Sequence, residues 1–229
     1  MSILLSKAAP ALIPRRPSQG NFNAMMKARQ RELDELNKRL CAREITVREW
    51  ADEFDRVLLN GHTRAWMLGR QRAGDLAELN NSDFLAGMAA KDPEAYYLHG
   101  FMQDIVNGRY LDDQGNLNYG PIRSRSQLYV GRMRGTASES WAVNSPQDMR
   151  VYWIMLALEH CEDCPRMAAL TANSEFTSSE LWAFPGDGST RCVGNCKCVL
   201  RLEDGAESFR HPSTPADAPD IPVQAVQAA

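Results

Sequence analysis

Five of the six cysteines in this 229-residue chain fall in two short stretches. "HCEDCPRMAAL" begins at His160, and "STRCVGNCKCVLRL" follows about thirty residues later. Cys161 and Cys164 form a C-x-x-C, a spacing that lets two thiolates on one turn grip a tetrahedral ion. Cys192, Cys196 and Cys198 supply C-x-x-x-C and C-x-C, with Gly194 and Asn195 suited to the tight turn between them. Two pairs so spaced point to a closed structural zinc site made by Cys161, Cys164, Cys192 and Cys196. Cys198 is a spare fifth candidate, able to face the metal or the core. His160 competes for ligation but reads better as a capping or surface histidine, and Cys41 as a small buried hydrophobe.

The rest of the chain fits a staple of this kind. Hydrophobic residues make up 44% and charged residues 24%, the composition of a globular protein rather than a disordered one. No apolar run approaches the ~18 residues that span a membrane. The start, "MSILLSKAAPALIP", is a poor signal peptide, interrupted by Lys7 and two prolines. A reducing compartment is therefore expected, where clustered cysteines hold metal rather than form disulfides.

The net charge of -3 excludes a wholesale electrostatic binder of nucleic acid, but the charge is uneven. Nine Lys and Arg precede residue 44 against three acids. Arg123, Arg125, Arg132 and Arg134 lie in a stretch without an acid from Asp113 to Glu139, a basic patch that is either a solvated helix face or a contact for DNA or an acidic protein.

The chain divides into four parts. Residues 1–20 read as an extended basic arm, 21–143 as a helical domain, 144–204 as a small cysteine-rich lobe, and 205–229 as a Pro/Ala-rich extended tail. Within the helical part, Thr46 and Glu49 form a capping box opening the best helix, which Asn60-Gly61 can break or kink. Asp92-Pro93-Glu94 reads as a second helix start, and Asn107-Gly108 as its stop. "RVYWIML" and "KCVLRLE" carry the β-branched and alternating patterns of two strands that could pair. The fold class expected is mainly α, with a small α+β C-terminal lobe stapled by zinc and extended termini.

"EHCEDCPRMAAL" followed by "PGDGSTRCVGNCKCVL" resembles the C-terminal module of phage head morphogenesis proteins, the minor head proteins similar to protein F of phage Mu. Cys161, Cys164, Asn195, Cys196 and Cys198 match its pattern, and Cys192 stands near a place often held by histidine. "ITVREW", "HTRAWMLGR" and "FMQDIVNGRY" with "RSRSQLYVGRMRG" resemble the helical region that precedes the module. The resemblance covers roughly residues 40–204 and implies a non-enzymatic virion component. Its partners would be the portal or capsid protein, with possible contact to packaged DNA and none to membrane. It would lie in the virion, and in the host cytoplasm during assembly.

Two rival functions fit the same residues. A zinc-ribbon regulator would bind DNA through the four arginines, and a zinc hydrolase would use Glu162 or Asp163 as its base. The H-E-x-x-H, deaminase, P-loop and G-x-S-x-G signatures are all absent from the sequence.

Overall fold

A computed structural model describes residues 15–174, 176–215 and 217–221. Residues 1–14 of the expected arm and the last eight residues of the expected tail lie outside it. The described chain is mainly helical, with a two-stranded C-terminal region.

Four long helices form the larger part: α1 (Gln19–Cys41), α2 (Val47–Ala73), α3 (Asn81–Val106) and α4 (Tyr119–Asn144). Their starts follow from side chains that satisfy free backbone N–H groups. Ser18 with Asn21, Thr46 with Glu49, and Asn80 with Asp83 each make a reciprocal capping box. At α4 the Asn118 side chain accepts from the Gly120 N–H. α3 closes at Asn107, followed by Gly108 at φ 77°, the stop that the sequence indicates.

Two helix boundaries read from the sequence are corrected. α2 runs unbroken through Asn60-Gly61. Gly61 serves packing instead: a Cβ there would lie 2.5 Å from the sulfur of Met133 on α4. α3 begins at Asn81, not at Pro93, which sits inside the helix. The proline removes the N–H that would bond to the Ala89 carbonyl. The stronger start is at Asn80–Asp83, because Asp83 both caps the helix and takes two hydrogen bonds from buried Arg70, at 2.9 and 2.7 Å.

The helical core centres on Trp50, Phe54, Phe101 and Tyr129, which meet edge-on or tilted with centroids 5.0 to 6.2 Å apart, apart from the stacked Phe101–Tyr129 pair at 6.3 Å. A buried polar chain crosses it. Trp50 Nε1 donates to Asn37 Oδ1, and Asn37 Nδ2 donates to Ser126 Oγ, each at 2.9 Å, which joins α2, α1 and α4.

The last part of α4 enters a second core, where Trp141 packs with Val151, Trp153, Met167, Leu200 and Leu202. Strands β1 (Val151–Ile154) and β2 (Val199–Leu202) pair antiparallel as expected, from Val151 opposite Leu202 to Ile154 opposite Val199. Helix α5 (Asp163–Asn173) lies between them in sequence. The described residues after Gly205 form no helix or strand, and bridges join Glu207 to Arg201 and Asp220 to Leu156. Phe209 is fully buried and stacks on Phe22 of α1 at 4.5 Å, and the Gln19 side chain exchanges two 2.9 Å hydrogen bonds with the Arg210 backbone.

α4 and the loop before the second cysteine stretch touch backbone to backbone. A Cβ on Gly135 would stand 2.3 Å from the Asp187 backbone. Gly135→Ala is therefore expected to lower the unfolding free energy by about 1–3 kcal/mol through overpacking. Urea unfolding measures this.

Candidate metal centre

The strand register builds the site. Ile154 and Val199 are partners, so the chain leaving β1 and the chain entering β2 lie at the same end of the ladder. The first carries His160, Cys161 and, on the first turn of α5, Cys164. The second carries Cys192, a 3-10 turn at Val193–Asn195, then Cys196 and Cys198. The left-handed residue of that turn is Val193, at φ 47°, rather than Gly194. Gly194 is spent on contact with α4, where its Cβ would stand 2.8 Å from the Gly131 carbonyl carbon.

All five clustered cysteines come together as free thiols. Cys161 Sγ lies 3.2 Å from Cys192 and 3.6 Å from Cys164; Cys164 lies 3.6 Å from Cys192 and 3.9 Å from Cys196. With metal–sulfur bonds of 2.3 Å, tetrahedral zinc places its sulfurs about 3.8 Å apart. The separations fit a metal ion of that size. Two groups could hold one, Cys161 with Cys164 and Cys192, and His160 with Cys164 and Cys198, so Cys164 is common to both.

His160, read from the sequence as a cap or surface residue, faces the cluster. Its Nδ1 is 3.4 Å from Cys198 Sγ while Nε2 sits 2.6 Å from the Leu156 carbonyl. A proton on Nε2 donated to that carbonyl leaves Nδ1 with a lone pair toward the metal position, the usual arrangement of a histidine ligand. The adjacency of His160 to Cys161 in sequence was a signal, but its direction depends on where the chain turns after β1.

The electrostatics single out one thiol. Contacts with the thiols of Cys164, Cys192 and Cys198, with Arg134 nearby, hold Cys196 well below the ordinary thiol value. The same contacts, with Cys192 first, push Cys164 up. Cys161 is lowered in spite of its burial, by its contact with Cys192 and by backbone N–H groups at Cys164 and Asp163. Thiols bind a metal as thiolates, so ligation here would release their protons.

Arg134 is the residue that the sequence misplaced most. It is fully buried, and its guanidinium donates to the carbonyls of Phe209 (3.0 Å), Cys196 and Cys198. It braces the cysteine cluster from α4 and is fully buried, so it offers no partner a contact. The other arginines of the patch are also engaged. Arg123 meets Asp34 at 3.1 Å, Arg125 meets Asp104 at 2.5 Å and lies over the Phe101 ring, and Arg132 approaches Glu94 at 3.6 Å.

Of the two carboxylates inside the knuckle, Asp163 accepts the Arg191 backbone N–H at 2.8 Å, and Glu162 is exposed in an ion pair with the Arg191 side chain. Cys41 packs half-buried against the helical core, away from the cluster.

No family model, curated protein or solved structure matches this chain. The functional reading therefore rests on the geometry and on the resemblance of the cysteine module.

Two outcomes follow for the site. Cys164→Ser should reduce bound metal to background while Cys41→Ser leaves it unchanged, and His160→Ala should weaken retention by about 10–100-fold if its ring orients or joins the ligand set. Metal analysis after dialysis against graded chelator reads both.

The second concerns His211, which receives a 2.8 Å hydrogen bond from Lys197 Nζ beside the cluster. Burial first, then the charges of Lys197 and Arg134, holds its imidazole down at about 3, from an ordinary 6.5. The unfolded chain binds a proton there that the folded one refuses, so this stability is present above pH 6.5 and is lost as pH falls toward 3. His211→Gln should flatten that part of the stability–pH curve.

Proposed function

We propose that the chain is a structural component of a phage virion, a minor head protein that docks on the portal or capsid and serves head assembly or DNA delivery. The observation that carries the docking is α3. One side of this helix packs on α2, with Leu98, Phe101 and Ile105 buried. It leaves Phe84, Leu85, Met88, Tyr96 and Tyr97 exposed, Tyr96 by 80%. Scattered exposed hydrophobes are ordinary, but six on one helix, Val106 being the sixth, favour a protein partner.

The metal in this reading is zinc and its role is mechanical. The second core rests on two four-residue strands and one short helix, which offer limited apolar area. Ligation would tie β1, α5 and β2 together where those contacts end. Glu162 and Asp163 are occupied with Arg191, which favours a staple over a hydrolytic centre. The paired state of Arg123 and Arg125 and the burial of Arg134 favour a protein partner over a DNA-binding face.

Co-expression with the products of the flanking genes, followed by native mass spectrometry, tests the reading. The expected result is one zinc per chain and a complex with a large ring-forming neighbour. Replacing Leu85 and Tyr96 with serine should dissolve the complex and leave the zinc in place. A metal-free chain that ignores its neighbours would sink it.

A further inference from the structure

A cavity of about 470 Å³ opens between α2, α3 and α4, on the helical side of the molecule. The metal centre does not use it, and neither does the docking face. Its walls combine small apolar residues (Ala86, Ala89, Ala90 and Pro93 of α3) with Trp66 of α2. Pro93 carries no N–H to bond the carbonyl of Ala89, another lining residue.

The polar groups facing the cavity are out of balance. Glu94 is 1% exposed, yet neither of its carboxylate oxygens makes a hydrogen bond. The nearest basic side chains are His62, with Nε2 at 3.3 Å, and Arg132, with Nε at 3.6 Å, and neither makes a hydrogen bond to it. His62, also 1% exposed, uses Nδ1 with Thr136 Oγ1 at 2.7 Å and leaves Nε2 unpaired. Glu139 lines the same space with no hydrogen bond or ion pair among the described residues. Asp187 stands beside it, its oxygens taken by the Phe184 and Ser189 N–H groups. Glu94, Glu139 and Asp187 share this lining with Arg132 and His62, so acidic side chains outnumber basic ones.

A buried carboxylate without a hydrogen bond is costly, and a second carboxylate beside it adds to that cost, so the arrangement favours a further cation. A divalent metal is a poor fit. Among the described residues, the donor groups close enough to hold one all belong to the cysteine cluster. The carboxylates here share the cavity with an apolar wall. That combination suits an extended organic cation, with ammonium groups on the carboxylates and methylenes against the alanines and Trp66.

We propose that this cavity binds a small aliphatic diamine, with Glu94 and Glu139 as the ammonium-binding residues. Burial, together with the charge of Asp187, pushes the Glu139 carboxyl above its ordinary range, a penalty that a bound cation relieves. The site stands independently of the assembly reading.

Isothermal titration of the full-length, metal-loaded protein with 1,4-diaminobutane tests it, with 1-butanol and magnesium chloride as controls. One diamine per chain is expected, with no response to butanol. Loss of one charge-assisted contact should weaken binding by about tenfold or more in Glu94→Gln and in Glu139→Gln. Ala89→Leu, which fills the cavity, should abolish it. Glu139 is only partly buried, so Glu139→Gln remains informative if Glu94→Gln fails to fold. Absence of saturable binding at millimolar diamine would overturn the proposal. So would unchanged affinity in Glu139→Gln, or magnesium competing for the same site.

Discussion

The buried guanidinium of Arg134 is the constraint around which the two halves are arranged. It is fully enclosed, and the hydrogen-bond acceptors it meets are backbone carbonyls, two from the cysteine loop and one from the tail. A cation in such a place requires every donor to be used, because each unmet one carries a desolvation cost. Meeting that demand fixes two chain segments, the cysteine loop and the tail, relative to α4 at once. The thiols of Cys196 and Cys198 are attached to the residues whose carbonyls are held, so the same contact sets where two donors of the cluster can sit. Burial pulls the Arg134 pKa down, and the nearby thiols of Cys196 and Cys198 offset part of that cost. Fold and site are therefore one electrostatic problem rather than a scaffold with a centre added to it.

Close backbone approach supports this arrangement. Gly135 and Gly131 face Asp187 and Gly194, so the loop that delivers Cys192 and Cys196 rests against α4 with no side chain between. The absent side chains make room for the guanidinium to reach carbonyls on the far side. Position along α4, rather than ion pairing, is what distinguishes Arg134 from Arg123 and Arg125, which lie nearer the start of the same helix and meet acids at its surface.

Local signals carried well from sequence to structure. The Thr46–Glu49 capping box, the Asn107-Gly108 stop and the two strands all appear where side-chain chemistry acts within a few residues. The convergence of Cys161, Cys164, Cys192 and Cys196 was legible because thiol spacing is itself a constraint on the chain. Residues whose role depends on a distant partner were not. Pro93 looks like a helix start until the stronger cap at Asn80 is weighed with Arg70, thirteen residues from Asp83. Gly61 looks like a break until Met133 is packed on it. Arg134 looks like one of four surface arginines, and only its place opposite residues more than sixty positions later shows otherwise.

The joining of Gln19 and Phe22 to Arg210 and Phe209 has a kinetic meaning. These contacts span up to 191 positions, among the most non-local in the molecule. Such pairings form late, since a long loop must close before they return any free energy. A ribosome that has released only the four long helices has produced a body whose first helix still shows Phe22 to solvent. The aromatic plug arrives after both cysteine stretches have been made, so closure of the helical core comes after the thiols that hold the other one.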